Sequence, residues 1–590
     1  MPNNITNYTI PTLFFLLVLI LGTSCSDPEP AKLDIPQPTK TLDQSMINKQ
    51  FTRIPFTEVS KQMGVDFLYE DGAEGDKWAP ETMIGGVAFF DFDNDGDADL
   101  LTVSGNRWDQ LKNNTGENRI ALFRNNNGKS FTNVTQDTGL HFTGYGFGIA
   151  IGDYDNDGWQ DIYLTTLGTN YLFKNEKGKQ FIDVTKKMNV QGKIDGYSVG
   201  ASFFDADNDG DLDLFVANYI TWNRAIDSRS NEQVLGKKKA YSGPVVFQGA
   251  HPYFFRNLGK QGFREESKIA GLQVSNNNEI IGKPLGILPI DINNDHYIDL
   301  VIANDLSRNF AFINTKEGNF SEQGETIGIA YNNIGKSTAA MGIDAAWLSN
   351  TQTLTIAMGN YSGEMTSIYR KNNKHLVFSD DAPVTGIGPK SRKALTFGAL
   401  FLDLDLDGRM DFLQTNGHVE PDIALTQKSH SYKQPAQLFW NCGQHCPRQF
   451  TLLPASSVGD LYEPLVGRGL TSADFDNDGD IDIAVSEVGG KLRLFRNDQK
   501  TNNNWIKLKL RQNDNNIFSI GATVEIQHGN SIQKQLIMPT RSYVSQVDST
   551  LVFGLGNAAR ADKIIVTWPD GKQQYLENIT ANQTLTVYRK

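Results

Sequence analysis

Six nine-residue stretches share the form Asp-x-Asp-x-Asp-Gly-x-x-Asp, and their side chains are the densest chemistry in the chain. Asp91, Asp93, Asp95 and Asp99 form the first set, Asp153, Asp155, Asp157 and Asp161 the second, and Asp205, Asp207, Asp209 and Asp213 the third. The fourth departs from the pattern, with Asp291, Asn293, Asp295 and Asp299 as donors and His296 where glycine is wanted. Asp403, Asp405, Asp407 and Asp411 make the fifth, which adds Arg409, and Asp474, Asp476, Asp478 and Asp482 the sixth. A hard cation such as Ca²⁺ takes about six to eight oxygens. Carboxylates at positions 1, 3 and 5 converge only if the chain turns sharply, which glycine at position 6 permits. Position 7 can add its carbonyl, and the carboxylate at position 9 closes the shell. Without a cation these carboxylates repel; a dication reverses that balance. An acidic turn needs no metal, since Asp and Gly favour turns anyway, but six copies in one register predict up to six Ca²⁺ sites, the Asp291 loop the weakest.

The flanks of each loop, such as "GGVAFF" before and "DLLTV" after, are short, apolar and rich in β-formers. An EF-hand is excluded, because it needs flanking helices and a Glu at position 12, and that position holds Thr102, Leu164, Val216, Ile302, Gln414 and Val485. Each loop sits in a longer repeat. Gly86, Gly148, Gly200, Gly286, Gly398 and Gly469 stand five residues before the first donor. A segment such as "LFRN" follows each loop, then a phenylalanine with a polar cluster such as "FTNVT". A seventh unit starts at Met341 and keeps the strand pattern without the ligands: Trp347 falls at loop position 1 and Thr355 at position 9. Units of this length with about four short strands are propeller blades. The last unit lacks its phenylalanine segment, and "FTEVSKQMG" from Phe56 supplies one at the other end of the chain. That strand would close the ring and remove its open edges. An insertion of roughly Thr221 to Pro252 lies in the third unit. Residues 503–588 alternate as strands, with Pro569-Asp570-Gly571 as a hairpin turn. The expected fold is all-β: a seven-bladed β-propeller over 51–500 and a β-sandwich over 501–590, either packed on the propeller or free.

The blades resemble FG-GAP/VCBS repeats, the calcium-bearing blades of integrin α-subunits. "NNWIKLKLRQ", "SIGATVEI", "SQVDSTLVFGLG" and "IIVTWPDGKQQYLENI" resemble the ASPIC/UnbV domain. Propeller plus this domain is the arrangement of the cartilage-acidic-protein-like family. That family often carries a cysteine before Gly-Pro in the insertion, where this chain has Ser242.

The N-terminus reads as an export signal. "LFFLLVLIL" from Leu13 is too short to span a bilayer, and "LGTSC" ends at Cys25, which resembles a bacterial lipoprotein box. Residues 1–25 are then a signal ending at a lipidated Cys25, and 26–50, with four prolines, a flexible tether. The alternatives are an outer-membrane lipoprotein, surface-exposed or not, and an ordinary secreted protein. Cys442 and Cys446 in "CGQHC" suit a local disulfide in an exported protein; free thiols or, with His445, a metal hook are the other readings. With 55 Lys and Arg against 68 Asp and Glu, and a formal charge of −13, no basic face exists for nucleic acid. The basic run Lys237-Lys238-Lys239 reads as a solvated loop. For catalysis the one suggestive group is His418, with Glu420 two residues on, which is either an acid–base pair or a structural histidine bonding backbone. The function expected is a surface-tethered calcium-binding propeller that binds protein or glycan. A carbohydrate-active enzyme, lyase or hydrolase, and a scaffold subunit of an outer-membrane complex are its rivals.

Overall fold

The glycines five residues ahead of the loops mark where the chain comes closest to itself. The computed structural model describes residues 52–590 apart from 114–115, 231, 237, 349–352 and 444–445. The apolar run, Cys25 and the tether lie outside the described residues. Seven sheets follow one another, each built on an antiparallel set of four strands, in chain order except in the last, whose outer strand comes from the start of the described chain. Their first strands are Val87–Phe90, Gly146–Gly152, Ser198–Phe204, Pro284–Ile290, Ala340–Leu348, Thr396–Leu402 and Gly467–Ala473. Each first strand packs against the next, and Gly467–Ala473 packs back on Val87–Phe90, so the sheets form a closed ring around an axis. A Cβ on Gly148 would stand 2.4 Å from Val199 O, one on Gly286 2.3 Å from Met341 O, and one on Gly469 2.1 Å from Gly85 O. Side chains cannot fit there, which is the reason for the recurrent glycine. Gly342 of the seventh unit shows the same crowding, 1.9 Å from Phe397 O.

The segment from Phe56 does complete the last sheet. Phe56–Glu58 pairs antiparallel with Arg493–Asn497. Ser60 Oγ accepts the Leu494 N–H at 2.7 Å, as Thr135 Oγ1 takes that of Leu122 at 2.9 Å and Thr185 Oγ1 that of Leu172 at 2.8 Å. The terminal strand therefore reproduces the bonds of the "FTNVT" segments. Hydrophobic clusters fill the spaces between neighbouring sheets, as with Phe90, Leu101 and Ile151 between the first two, and each buried side chain contributes roughly 1.5–3 kcal/mol.

Residues 504–588 form two sheets, of three and four strands, over a common apolar core that includes Ile506, Phe553 and Trp568. The expected turn at Pro569-Asp570-Gly571 joins Arg560–Thr567 to Gln573–Thr580, which pair antiparallel. One hairpin leaves this sandwich and enters the ring. Its strands, Thr540–Arg541 and Ser545–Gln546, extend the first sheet, Ser545–Gln546 pairing in parallel with Val87–Ala88. Tyr543 at its tip is wholly buried, and its hydroxyl donates to Met83 O at 2.9 Å. The insertion between Asn218 and Tyr253 carries a short helix, Arg224–Asp227, and a two-stranded hairpin. Within it Lys238, largely exposed, pairs with Asp422, and Lys239 stands 4.4 Å from the Trp78 ring centroid. Asp227, fully buried, accepts from Ala79 N, Trp222 Nε1 and Ser242 Oγ. Ser242 thus stitches the insertion together at the position where the resemblance implies cysteine.

Candidate metal centres under the C-terminal sandwich

Each acidic loop joins the first and second strands of a sheet, and one hydrogen-bond scheme recurs in all six. The position-1 carboxylate accepts the N–H of position 6: Gly96 to Asp91 at 3.0 Å, Gly158 to Asp153, Gly210 to Asp205, His296 to Asp291, Gly408 to Asp403 and Gly479 to Asp474, each at 2.9 Å. Position 6 is left-handed throughout, with φ from 69° at His296 to 105° at Gly479. Position 4 is left-handed as well, which favours asparagine, and Asn94, Asn156, Asn208, Asn294 and Asn477 stand there beside the exception Leu406.

The position-9 aspartate is locked by two backbone donors. Asp99 accepts from Phe92 N at 3.0 Å and Asn125 N at 2.7 Å; Asp213 accepts from Ala206 N at 3.1 Å and Asn257 N at 2.8 Å. The second donor is the asparagine that ends each "LFRN" segment. Its side chain then bridges two blades. Asn314 Nδ2 donates to Ile298 O of its own loop at 3.1 Å and to Ala206 O of the preceding loop at 2.7 Å. Asn125, Asn175, Asn257 and Asn497 do the same, Asn125 reaching Phe475 O across the closure of the ring. In the fifth sheet Lys371 takes that place and donates to Ile292 O at 2.6 Å. The sequence displayed these asparagines as a pattern; their bridging role needed the third dimension.

Three carboxylate oxygens lie within 4.8 Å of one another in five loops: Asp91, Asp93 and Asp99; Asp153, Asp155 and Asp161; Asp205, Asp207 and Asp209; Asp403, Asp405 and Asp407; Asp474, Asp476 and Asp482. Asp95, Asp157, Asp213, Asp411 and Asp478 complete the donor sets by sequence. Among the described residues no such trio forms from Asp291, Asp295 and Asp299, where Asn293 replaces the third-position aspartate. The donor chemistry fits a hard cation. Asp91 Oδ1, Asp93 Oδ1, Asp205 Oδ1, Asp405 Oδ1 and Asp474 Oδ1 are buried with no hydrogen-bond partner, and an orphaned buried carboxylate oxygen is costly. Burial pushes Asp91 up to about 6, Asp153, Asp205 and Asp299 to about 7, and Asp99 to about 9. A bare loop at neutral pH therefore resists its own charge, and a dication would relieve it. Some carboxylates have a cation of the chain beside them. Lys174 pairs with Asp155 and Asp157, Arg256 with Asp207 and Asp213, Arg409 with Asp407, and Lys507 with Asp474.

The sandwich covers this face of the ring. Lys509 Nζ donates to Gly96 O at 2.7 Å, Asn516 N to Asn156 Oδ1 at 2.7 Å, and Gly554 N to Asp403 Oδ2 at 3.2 Å. Asn515 approaches Gly210, Gly571 lies beside His296, and Trp505 lies against Gly479. At the fifth sheet, which has no acidic loop, Lys534 stands 4.7 Å from the centroid of Trp347. Arg541 of the inserted hairpin holds Asp344 through Nε at 2.7 Å and Nη2 at 2.6 Å.

The opposite end of the axis is closed by the 66–84 segment and the insertion. Glu81, buried there, accepts from Trp108 Nε1 at 2.9 Å and Tyr241 hydroxyl at 3.0 Å, and burial raises it to about 7. Nothing around "WAPETM" marked this carboxyl in the sequence. Arg468, also fully buried, donates to the carbonyls of Thr82, Gly417 and Gly467. His418 accepts the Glu420 N–H on Nδ1 at 3.0 Å, and Glu420 pairs with Lys77, so both groups hold the chain rather than face each other. Cys442 and Cys446 are joined as a disulfide.

Comparison with known proteins accords with this architecture. The model of the FG-GAP-like repeat matches residues 91–164 and 153–216, and that of ASPIC and UnbV matches 512–590. The chain thus carries FG-GAP-like repeats and an ASPIC/UnbV domain. It is 24% identical to cartilage acidic protein 1 of Xenopus tropicalis over 523 residues, 84% of this chain and 71% of that protein. Cartilage acidic protein 1 of Homo sapiens is 34% identical over 127 residues, 20% of this chain and 19% of that protein. A solved Agrocybe aegerita lectin, described as recognising non-reducing terminal N-acetylglucosamine, aligns at a TM-score of 0.39 with 15% identity, over 65% of this chain and 89% of its own. That TM-score is too low for its ligand to bear on this chain.

Proposed function

We propose that the chain is an exported, surface-tethered binding and adhesion module whose propeller is held by Ca²⁺ and whose ligand is a protein or a glycan. The observation that carries the reading is the asymmetry of the two faces. The sandwich lies across the acidic loops, so the metals have a structural place and the opposite face is left for a ligand. That face is made of the connections between second and third strands and between successive sheets. It holds the 221–252 insertion, and Ile194, Val245 and Ile334 are exposed there by 87%, 70% and 68%. Loops on a rigid scaffold are the usual seat of recognition, and exposed apolar groups suit a partner surface. Ca²⁺ would be held by the position 1, 3, 5 and 9 side chains. The signal-like run and Cys25 support export and a lipid anchor to the outer membrane.

The test is a glycan array and an extracellular-protein panel probed with the calcium-loaded chain. At least one ligand should bind, and Ile194→Asp with Ile334→Asp should abolish that binding without lowering Tm. Binding that survives these changes, or no ligand at all, refutes the reading. Membrane fractionation of Cys25→Ser tests the anchor: the variant should leave the membrane fraction.

A further inference from the structure

The one blade without an acidic loop borders a cavity between the ring and the sandwich. Ala340–Leu348 and Thr353–Asn360 run on as a long hairpin where the other sheets turn through carboxylates. Beside it, between ring and sandwich, lies a cavity of about 300 Å³, and next to that a second of about 180 Å³. Trp347, Lys534, Ile290 and Leu536 line both. Small-molecule sites begin at about this size and combine apolar walls with a few placed polar groups.

The cations around the larger cavity have partners among the described residues, with one exception. Arg541 is held by Asp344, Lys507 by Asp474, and Lys509 by Gly96 O. Lys534 is only partly exposed; the carboxylates of Asp291 and Glu525 act on it electrostatically, but among the described residues its ammonium makes no hydrogen bond and no ion pair and stands over the face of Trp347. A lysine ammonium offers three donors. The cavity's free carboxylate, Asp548, lies away from it, near Asp91 and Arg511. An aromatic plate, an ammonium with all its donors unused and a flanking apolar wall describe a receptor for an anion carried on a ring.

We propose that this space is a binding site for a small organic carboxylate with a ring-sized body, its carboxylate on Lys534 and its ring against Trp347 and Leu536. Trp347 then stands at loop position 1 because that blade holds a ligand rather than a metal. The site is separate from the free face, so its failure leaves the adhesion reading untouched. Benzoate and glucuronate, titrated calorimetrically into the full calcium-loaded chain, distinguish an aromatic acid from a sugar acid, with benzamide and glucose as uncharged counterparts. One of the acids should bind, its neutral counterpart about tenfold or more weaker. Lys534→Gln should cost about tenfold or more at unchanged Tm, and Lys534→Arg should recover most of it. Should Gln destabilise the sandwich, Lys534→Met keeps the stem over Trp347 and serves instead. Failure of both acids to bind, or equal affinity in wild type and the charge-removed variant, overturns the proposal.

Discussion

Two side chains state most clearly what single residues do here. Asn314 and Asn441 end equivalent segments, yet the Asn314 side chain bridges two loops whereas, among the described residues, the Asn441 side chain donates to Met410 O alone, the preceding sheet having no acidic loop. Leaving a buried carbonyl unpaired costs about 1–3 kcal/mol, so Asn314→Ala should destabilise by about 1–2 kcal/mol more than Asn441→Ala in denaturant melts. Equal losses would show that the bridge is idle. Glu81 gives the pH test. Its carboxyl is raised from 4.5 to about 7 by burial, ahead of the opposing bonds from Trp108 and Tyr241. A raised acid contributes stability that is full below its unfolded value and lost as pH rises through about 7. Glu81→Gln should therefore be near neutral at pH 5 and stabilising by about 2–3 kcal/mol at pH 8. The same shift in Tm at both pH values would contradict this. The two residues also divide what could be read in advance. Asn314 sat in a visible repeat, while Glu81 is buried in the fold, where it meets Tyr241 of an insertion 160 residues away along the chain.

Among the elements, the first strands and the inserted hairpin carry the architecture. The inner glycines differ in how tightly they are met. Gly148 and Gly286 face the next blade's backbone at 2.4 and 2.3 Å, whereas Gly200 meets only the end of Ile287 at 3.4 Å. Alanine at Gly286 should cost about 1–3 kcal/mol and at Gly200 much less, read as the difference between two urea midpoints. The hairpin makes a sharper case. Asp344 is buried, and Arg541 is its cation. Arg541→Ala should destabilise by about 3–5 kcal/mol, and Asp344→Asn added to it should recover part of that. Strand order, the terminal strand from Phe56 and the sandwich turn were legible because each leaves a local mark: period-two alternation, a repeated "F-x-x-V-T" form and Pro-Asp-Gly. The hairpin was not. "MPTRSYVSQVD" has no signature of its own, since its purpose is to fit a channel built by residues hundreds of positions away.

At the scale of the whole molecule, the ring, its loops and the sandwich form one coupled unit. The sandwich touches acidic loops with backbone and lysine donors, and the loops touch each other through asparagines, so a cation at one loop would stiffen its neighbours. The sequence displayed the acidic loops but left the sandwich's position open, because both its packed and free forms need the same alternating strands. Covering the loops also predicts slow metal exchange, seen as a lag between adding chelator and losing the fold. If divalent cations hold this ring together, a thermal melt of the full chain in calcium and in excess chelator at pH 7.5 will show it. Ligand at about 1,000 times Kd contributes about 4 kcal/mol per site, so several filled loops should separate the two melts by ten degrees or more, the gap shrinking when Asp205, Asp207 and Asp209 are replaced together by Ala. Superimposable melts with and without chelator would contradict the account.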